Sequence, residues 1–100
     1  MIYCFDIDNT LCITEGNDYE NAQPIRERIE LVNLLKEQGN RIIVFTGRGS
    51  QSGTDWKDFT EKQLTGWGLK YDELLMGKPN FDVLVDNLAI SPDKFFVRWF

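Results

Sequence analysis

One hundred residues, 42% of them hydrophobic, are enough for a single small packed domain and favour a core over disorder. The net charge of −5, with no basic run, argues against broad binding to nucleic acid or anionic membranes, although a bound divalent cation can invert the local field for an anionic substrate. No apolar run approaches the roughly 20 residues needed to cross a bilayer, and the N-terminal run lacks the basic flank of a signal peptide, so a soluble, uncleaved, cytoplasmic chain is expected.

The chain opens with IYCFDIDNTLC, residues 2–12. The apolar run from Ile2 to Phe5 predicts a buried strand, and it leads straight into Asp6 and Asp8. Carboxylates at the end of a buried strand need a partner, since an unpaired charge there is costly. If the strand continues they point the same way, about 6–7 Å apart. Cys4 and Cys12 form no metal-type pair, and both are expected to be buried, reduced thiols.

The polar stretch ITEGNDYENAQ, residues 13–23, reads as a long surface loop or small hairpin, a length that usually marks a functional element. In PIRERIELVNLLKEQG, Pro24 suits a first helical position and Gly39 a C-terminal cap. Ile25, Ile29, Val32 and Leu35 share one face, widened by Leu31 and Leu34, which predicts an amphipathic helix. RIIVFTG is a second strand, ending in Thr46 and Gly47.

After GRGSQSG comes TDWKDFTEKQLTGWG, with Trp56, Phe59, Leu64 and Trp67 at helical spacing and therefore expected in the core. A capping-box pattern of Thr60 with Gln63 leaves the helix start open between Asp55 and Thr60. YDELLMG predicts a short strand, FDVLVDN a better one and FFVRWF a last one, with Trp99 and Phe100 either closing the core or joining a dimer contact. Strand, helix, strand, helix, strand is the pattern of an α/β fold: a three-layer, Rossmann-like arrangement with a mostly parallel sheet covered on both faces, one domain over residues 1–100.

Ligands of such sheets bind beyond the C-terminal strand ends. There the sequence places Asp6 and Asp8, Thr46, and Asp86 with Asn87, while Lys78 precedes the FDVLVDN run. An all-oxygen set of Asp6, Asp86 and a backbone carbonyl near Asp8 suits Mg²⁺, which shares its remaining positions with waters and substrate phosphate. The absence of histidine speaks against zinc. One carboxylate aimed at phosphorus is a nucleophile and the second a proton donor and acceptor, with Thr46 bonding a phosphoryl oxygen and Lys78 offsetting charge. Lys78 also has an ordinary reading as a solvated loop lysine. Arg48 either touches substrate or pairs with an acid of the polar loop.

DIDNT resembles the DxDxT motif of the haloacid dehalogenase-like (HAD) phosphatases, and the order that follows is also theirs: a threonine ending the second strand, a lysine, then an acid ending a later strand. The run from Phe45 to Pro79 is similar to small capless members described as capsule or polysaccharide biosynthesis phosphatases. The resemblance implies Asp6 as nucleophile, Asp8 as general acid and base, Thr10 as support for the loop, and Thr46, Gly47, Arg48 and Lys78 around the phosphate. It also implies a metal held by Asp6, Asp8 and Asp86, in a HAD-type fold without a separate cap domain. The final motif departs from the usual adjacent acids in having Asn87, expected to orient a metal-bound water.

These readings converge on a Mg²⁺-dependent phosphomonoester hydrolase with an aspartyl-phosphate intermediate, acting on a phosphorylated sugar or other small metabolite. A capless site needs an accessible phosphate end or a neighbouring subunit as lid, which leaves a homo-oligomer open. The alternatives are a polynucleotide 3′-phosphatase, since TGRGSQSGT also resembles the phosphatase part of polynucleotide kinases, and a phosphoacceptor or binding module without hydrolysis. A receiver domain places its phosphorylated aspartate after the third strand, where this chain has none. An EF-hand loop requires a glycine and a glutamate that are missing at the sixth and twelfth positions from Asp6.

Overall fold

The computed structural model describes residues 1–99, and Phe100 with its expected place in a last strand lies outside them. The elements run β1 (Ile2–Phe5), β2 (Cys12–Ile13), β3 (Gln23–Pro24), α1 (Arg26–Glu37), β4 (Arg41–Phe45), α2 (Lys57–Gly66), β5 (Glu73–Leu75) and α3 (Pro92–Val97), with a 3₁₀ turn at Tyr19–Asn21. β1, β4 and β5 form a parallel sheet in that spatial order, each crossover carrying a helix as parallel neighbours require. The result is a mixed α/β fold with a mostly parallel sheet and no cap domain among the described residues.

Although β4 is apolar from Ile42 to Phe45, its burial alternates. Parallel register sets Tyr3 beside Ile42, Phe5 beside Val44, and Val44 beside Leu74, so these side chains share one face. That face is the core side: Phe5, Ile42 and Val44 are buried, and Tyr3 and Leu74 pack against the same cluster. On the opposite face Ile43 and Phe45 are half-buried and Cys4 is exposed. The expectation that Cys4 is buried is thus corrected, because its strand position points it away from the core; Cys12 is buried, and both thiols are free. Burial pushes the Cys12 thiol up, so it stays protonated.

α1 buries Ile29, Leu31, Val32 and Leu35, as the periodicity predicts, while Leu34 remains 47% exposed. Pro24 does not start the helix. The polar stretch forms a small hairpin in which Cys12 faces Pro24, and the Ile25 N–H donates to Leu11 O at 2.9 Å, which holds the chain extended up to Ile25. α2 starts at Lys57, between the two expected positions, where Asp55 Oδ1 accepts the Lys57 N–H at 3.0 Å. Leu64 is buried and Trp67 packs on the core, but Trp56 and Phe59 pair with each other outside it.

Two expected strands are absent among the described residues. Residues 81–87 form no strand and are exposed, Val83 by 77% and Val85 by 91%. β propensity describes fit to a pleated, half-buried surface, and this segment is not laid against one. The start of that last run, Phe95 to Val97, is helical instead: α3 begins with Pro92 at its first turn after Ser91, a start signal that precedes the apolar residues. Phe96 is then buried, and Phe95 and Phe96 meet Phe5 with ring centroids 5.7 and 6.1 Å away, which docks α3 on β1. Among the described residues no helix is long and apolar enough to cross a membrane.

Asp72 joins α1, β4 and the start of β5. Its Oδ2 accepts the Ile42 N–H at 2.8 Å and its Oδ1 accepts from Lys36 Nζ at 2.7 Å. The Ile42 bond first, then Lys36, holds the carboxyl below the usual carboxylate range. A lowered folded-state value adds stability above the unfolded value of about 3.9, and that stability is lost as pH falls through the folded value. Urea midpoints measured from pH 6 downward are therefore expected to fall more steeply below about pH 4 for wild type than for Asp72→Asn. Parallel curves would deny Asp72 this role.

Candidate active site

β1 stops at Phe5, and the chain turns at once. Ile7 O accepts the N–H of Thr10 at 3.1 Å and of Leu11 at 2.8 Å. Asn9 adopts a left-handed φ of 62°, which its short amide side chain tolerates, and its Oδ1 accepts the Thr14 N–H at 3.1 Å. Ile7 and Leu11 are fully buried and anchor the turn. Asp6 and Asp8 are therefore not successive residues on one strand face, and each carboxylate has its own partners.

Asp6 sits between a hydroxyl and a cation. Thr10 Oγ1 donates to Asp6 Oδ2 at 3.2 Å, and Lys78 Nζ lies 3.4 Å from Asp6 Oδ1. The Asp6 side chain is 35% exposed, open to an incoming ligand. Lys78 is held by its backbone. Its N–H donates to Thr46 O at 3.0 Å and Ser50 Oγ donates to its carbonyl at 2.7 Å, so the loops after β4 and β5 are bonded together. Thr46, almost fully buried, accepts the Arg48 N–H on Oγ1 at 3.1 Å. A Cβ on Gly47 would come within 3.2 Å of Lys78 O, and one on Gly49 within 2.1 Å of Thr54 O at a φ of +82°, so Gly49 cannot carry a side chain without moving the loop.

Asp8 is gripped by Arg48. Arg48 Nε donates to Asp8 Oδ2 and Nη2 to Oδ1, both at 2.9 Å, a bidentate pair in which the arginine side chain is fully buried and Asp8 is 21% exposed. Thr14 Oγ1 adds a 2.7 Å bond to Asp8 Oδ1. The remaining guanidinium nitrogen, Nη1, donates to Gln63 Oε1 at 2.7 Å and Thr60 Oγ1 at 3.3 Å, and the guanidinium lies 4.7 Å from the Tyr19 ring centre. Gln63 Nε2 in turn donates to Tyr19 O at 2.7 Å. Of the two readings of Arg48, pairing is what the structure has, but with Asp8 and not with an acid of the polar loop.

Thr60, Gln63, Thr14 and Tyr19 are the site residues that sequence reasoning missed. Thr60 and Gln63 lie inside α2 and hold Arg48, so the capping-box reading of the pair is corrected. Their three-residue spacing, which puts both on one helix face, was the usable signal.

The three carboxylates expected to bind a metal are not gathered: among the described residues no group of three His, Cys, Asp or Glu is placed to hold one. Asp8 is engaged by Arg48, and Asp86 lies in the exposed segment, where its Oδ1 accepts the Leu88 N–H at 3.0 Å. Asn87, beside it, is exposed as well. What remains is a hard oxygen donor, Asp6, partly open to solvent. That fits Mg²⁺ in the form where the ion keeps most of its waters and is held through one carboxylate and the substrate's phosphate.

No family model matches this sequence, and no curated protein matches it either. Solved structures do. An MCSG target from Vibrio cholerae is 27% identical over 94% of this chain and 85% of that one, with a TM-score of 0.82. A chain of a Pnkp1/Rnl/Hen1 complex is 26% identical over 96% of this chain, with a TM-score of 0.60, and a chain of the Pnkp1/Rnl/Hen1 RNA repair complex is 25% identical over 97%, also at 0.60. This chain spans 33% and 30% of those two longer chains. Together with the residues at the strand ends, these likenesses fit a phosphatase-like fold.

Removing Arg48 leaves Asp8 without its counter-charge and opens the space between α2 and the hairpin. Arg48→Ala is expected to destabilise the protein by about 3 kcal/mol, the lower part of the range for breaking a buried pair. Urea denaturation measures it, and a loss under about 1 kcal/mol would place the pair among ordinary surface ion pairs.

Proposed function

We propose that this chain is a phosphomonoester hydrolase acting through an aspartyl-phosphate on Asp6, with a phosphorylated sugar or similar small metabolite as substrate. The observation that carries the proposal is the placement of a partly exposed Asp6 carboxylate beside Lys78 Nζ, at 3.4 Å, at the end of β1. A substrate phosphate entering there meets a nucleophile and a positive charge together.

In the first step Asp6 Oδ forms a bond to phosphorus as the bond to the leaving oxygen breaks. That oxygen is protonated through Asp8, which must first take a proton from solvent because both its oxygens accept from Arg48 as a carboxylate. In the second, Asp8 takes a proton from water as the water oxygen attacks phosphorus, releasing inorganic phosphate and restoring Asp6. Lys78 offsets the charge on the phosphoryl oxygens, and Thr46 donates its hydroxyl proton to one of them. Thr10 steadies Asp6 through its 3.2 Å bond, and Arg48 fixes the direction of Asp8. Mg²⁺ held by Asp6 would supply further neutralisation of the phosphate charge.

A second reading has its own support. The likeness to chains of an RNA repair complex favours a phosphate at a nucleic-acid end as substrate. The acidic balance of the chain weighs against it, since strand binding normally draws on a basic groove.

Hydrolysis of p-nitrophenyl phosphate, in Mg²⁺ and in chelator, tests the reaction. Wild type is expected to turn over in Mg²⁺ and to lose most activity in chelator, and Asp6→Asn to fall at least about 1000-fold. A folded wild type without turnover, or an Asp6→Asn variant that keeps it, would overturn the proposal.

A further inference from the structure

A cleft of about 490 Å³ opens between the hairpin, which contributes Asn17 and Tyr19, and the loop after β4, which contributes Gln51, Ser52 and Trp56. Asn80 closes it from the third side. Gly47 and Pro79 also line it, and they adjoin Thr46 and Lys78, so the cleft begins where the candidate phosphate site ends. No residue in its lining is charged. This stands out beside Asp6, Lys78, Asp8 and Arg48, which are charged without exception.

Its chemistry is of two kinds. The amides of Asn17, Gln51 and Asn80 and the hydroxyl of Ser52 both donate and accept hydrogen bonds. Trp56 and Tyr19 meet edge to face with ring centroids 5.0 Å apart and an interplanar angle of 82°, and the Trp56 ring is half-buried in the wall. Burial pushes the Tyr19 phenol up, with Asp8 adding to the rise, so this group too is neutral at physiological pH. The Tyr19 hydroxyl donates to Asn17 Oδ1 at 3.3 Å.

Resting on the hydrolase reading, we propose that this cleft is the subsite for the leaving group and that it takes a neutral polyhydroxylated ring, one or two sugar units in size. Such a ring presents hydroxyls that match amides and a C–H face that packs on an indole, and the cleft volume lies within the usual range for ligand pockets. A nucleic-acid strand is disfavoured at the same place. Its further phosphates would lie along walls that offer no cation, whereas binding a strand depends on neutralising them. Trp56 and Asn80 are accordingly specificity-determining residues for the proposed reaction.

The test compares kcat/KM for acetyl phosphate, which has no ring, with a panel of hexose phosphates and a 3′-phosphorylated oligothymidylate, in wild type, Trp56→Ala and Gln51→Ala. Gln51 is exposed, so its variant is expected to fold even where loss of Trp56 disturbs the loop. In wild type the best hexose phosphate is expected to exceed acetyl phosphate at least about tenfold, and that ratio to fall at least about fivefold in Trp56→Ala and measurably in Gln51→Ala. Ratios unchanged in both variants, or an oligothymidylate preferred over every hexose phosphate, would overturn the subsite.

A second measurement does not depend on hydrolysis: free glucose, galactose, mannose and N-acetylglucosamine are titrated against the ¹⁵N-labelled protein. Shifts centred on the Trp56 indole and the Asn17, Gln51 and Asn80 side-chain amides support the subsite, and none with any of the four overturns it. Absence of turnover with every phosphate of the panel and with p-nitrophenyl phosphate, together with such shifts, would refute the hydrolase reading and leave the sugar cleft standing.

Discussion

The buried pair of Arg48 and Asp8 is the constraint on which the site depends. A guanidinium with no solvent access has to be satisfied within the protein, and this one reaches the turn after β1, the loop after β4, helix α2 and the hairpin at once. Asp8 supplies the counter-charge, Thr60 and Gln63 take the outward nitrogen, and Tyr19 covers the plane. Among the described residues no buried side-chain nitrogen or oxygen lacks a partner. The segments that shape the site therefore cannot move independently without exposing one of these groups.

A consequence is a division between the two carboxylates. Adjacent aspartates repel, and the structure relieves this by giving each a cation of its own: Lys78 for Asp6 and Arg48 for Asp8. The two ion pairs are not equivalent. Arg48 is sealed inside and bidentate, which favours fixed direction, whereas Lys78 is a single flexible ammonium at 3.4 Å beside a carboxylate open to solvent. One pair holds geometry and the other is open to a ligand. The neutral cleft next to them extends this gradient, from charged strand ends to an uncharged wall, across the loops that carry Gly47 and Pro79.

The misread elements share a cause. FDVLVDN and FFVRWF both look like strands because their residues favour a pleated surface, yet a strand exists only where a neighbour offers a ladder. The first is exposed and unladdered, and the second follows Ser91 and Pro92, whose start signal outweighs the aromatic run. Pro24 failed as a helix start for a related reason: the hairpin pairs it with Cys12 before the helix can begin. In each case a local preference met a tertiary partner, or the lack of one. Trp56 shows the same limit, since helical spacing cannot distinguish a residue facing the core from one at the helix entrance facing a cleft.

The sequence by itself determined the α/β class, the pairing-competent runs of β1 and β4, the core face of α1, and the gathering of Asp6, Thr46 and Lys78 at the strand ends. Those features follow from local periodicity and from chain order, which are written along one dimension. Only the tertiary structure decided that Asp8 turns to Arg48, that Thr60 and Gln63 serve that arginine instead of capping a helix, and that Asp86 stands apart in an exposed segment. Each of these depends on which groups, distant along the chain, must satisfy one another's charge or hydrogen bonds once water is excluded, and no spacing within a segment encodes that choice.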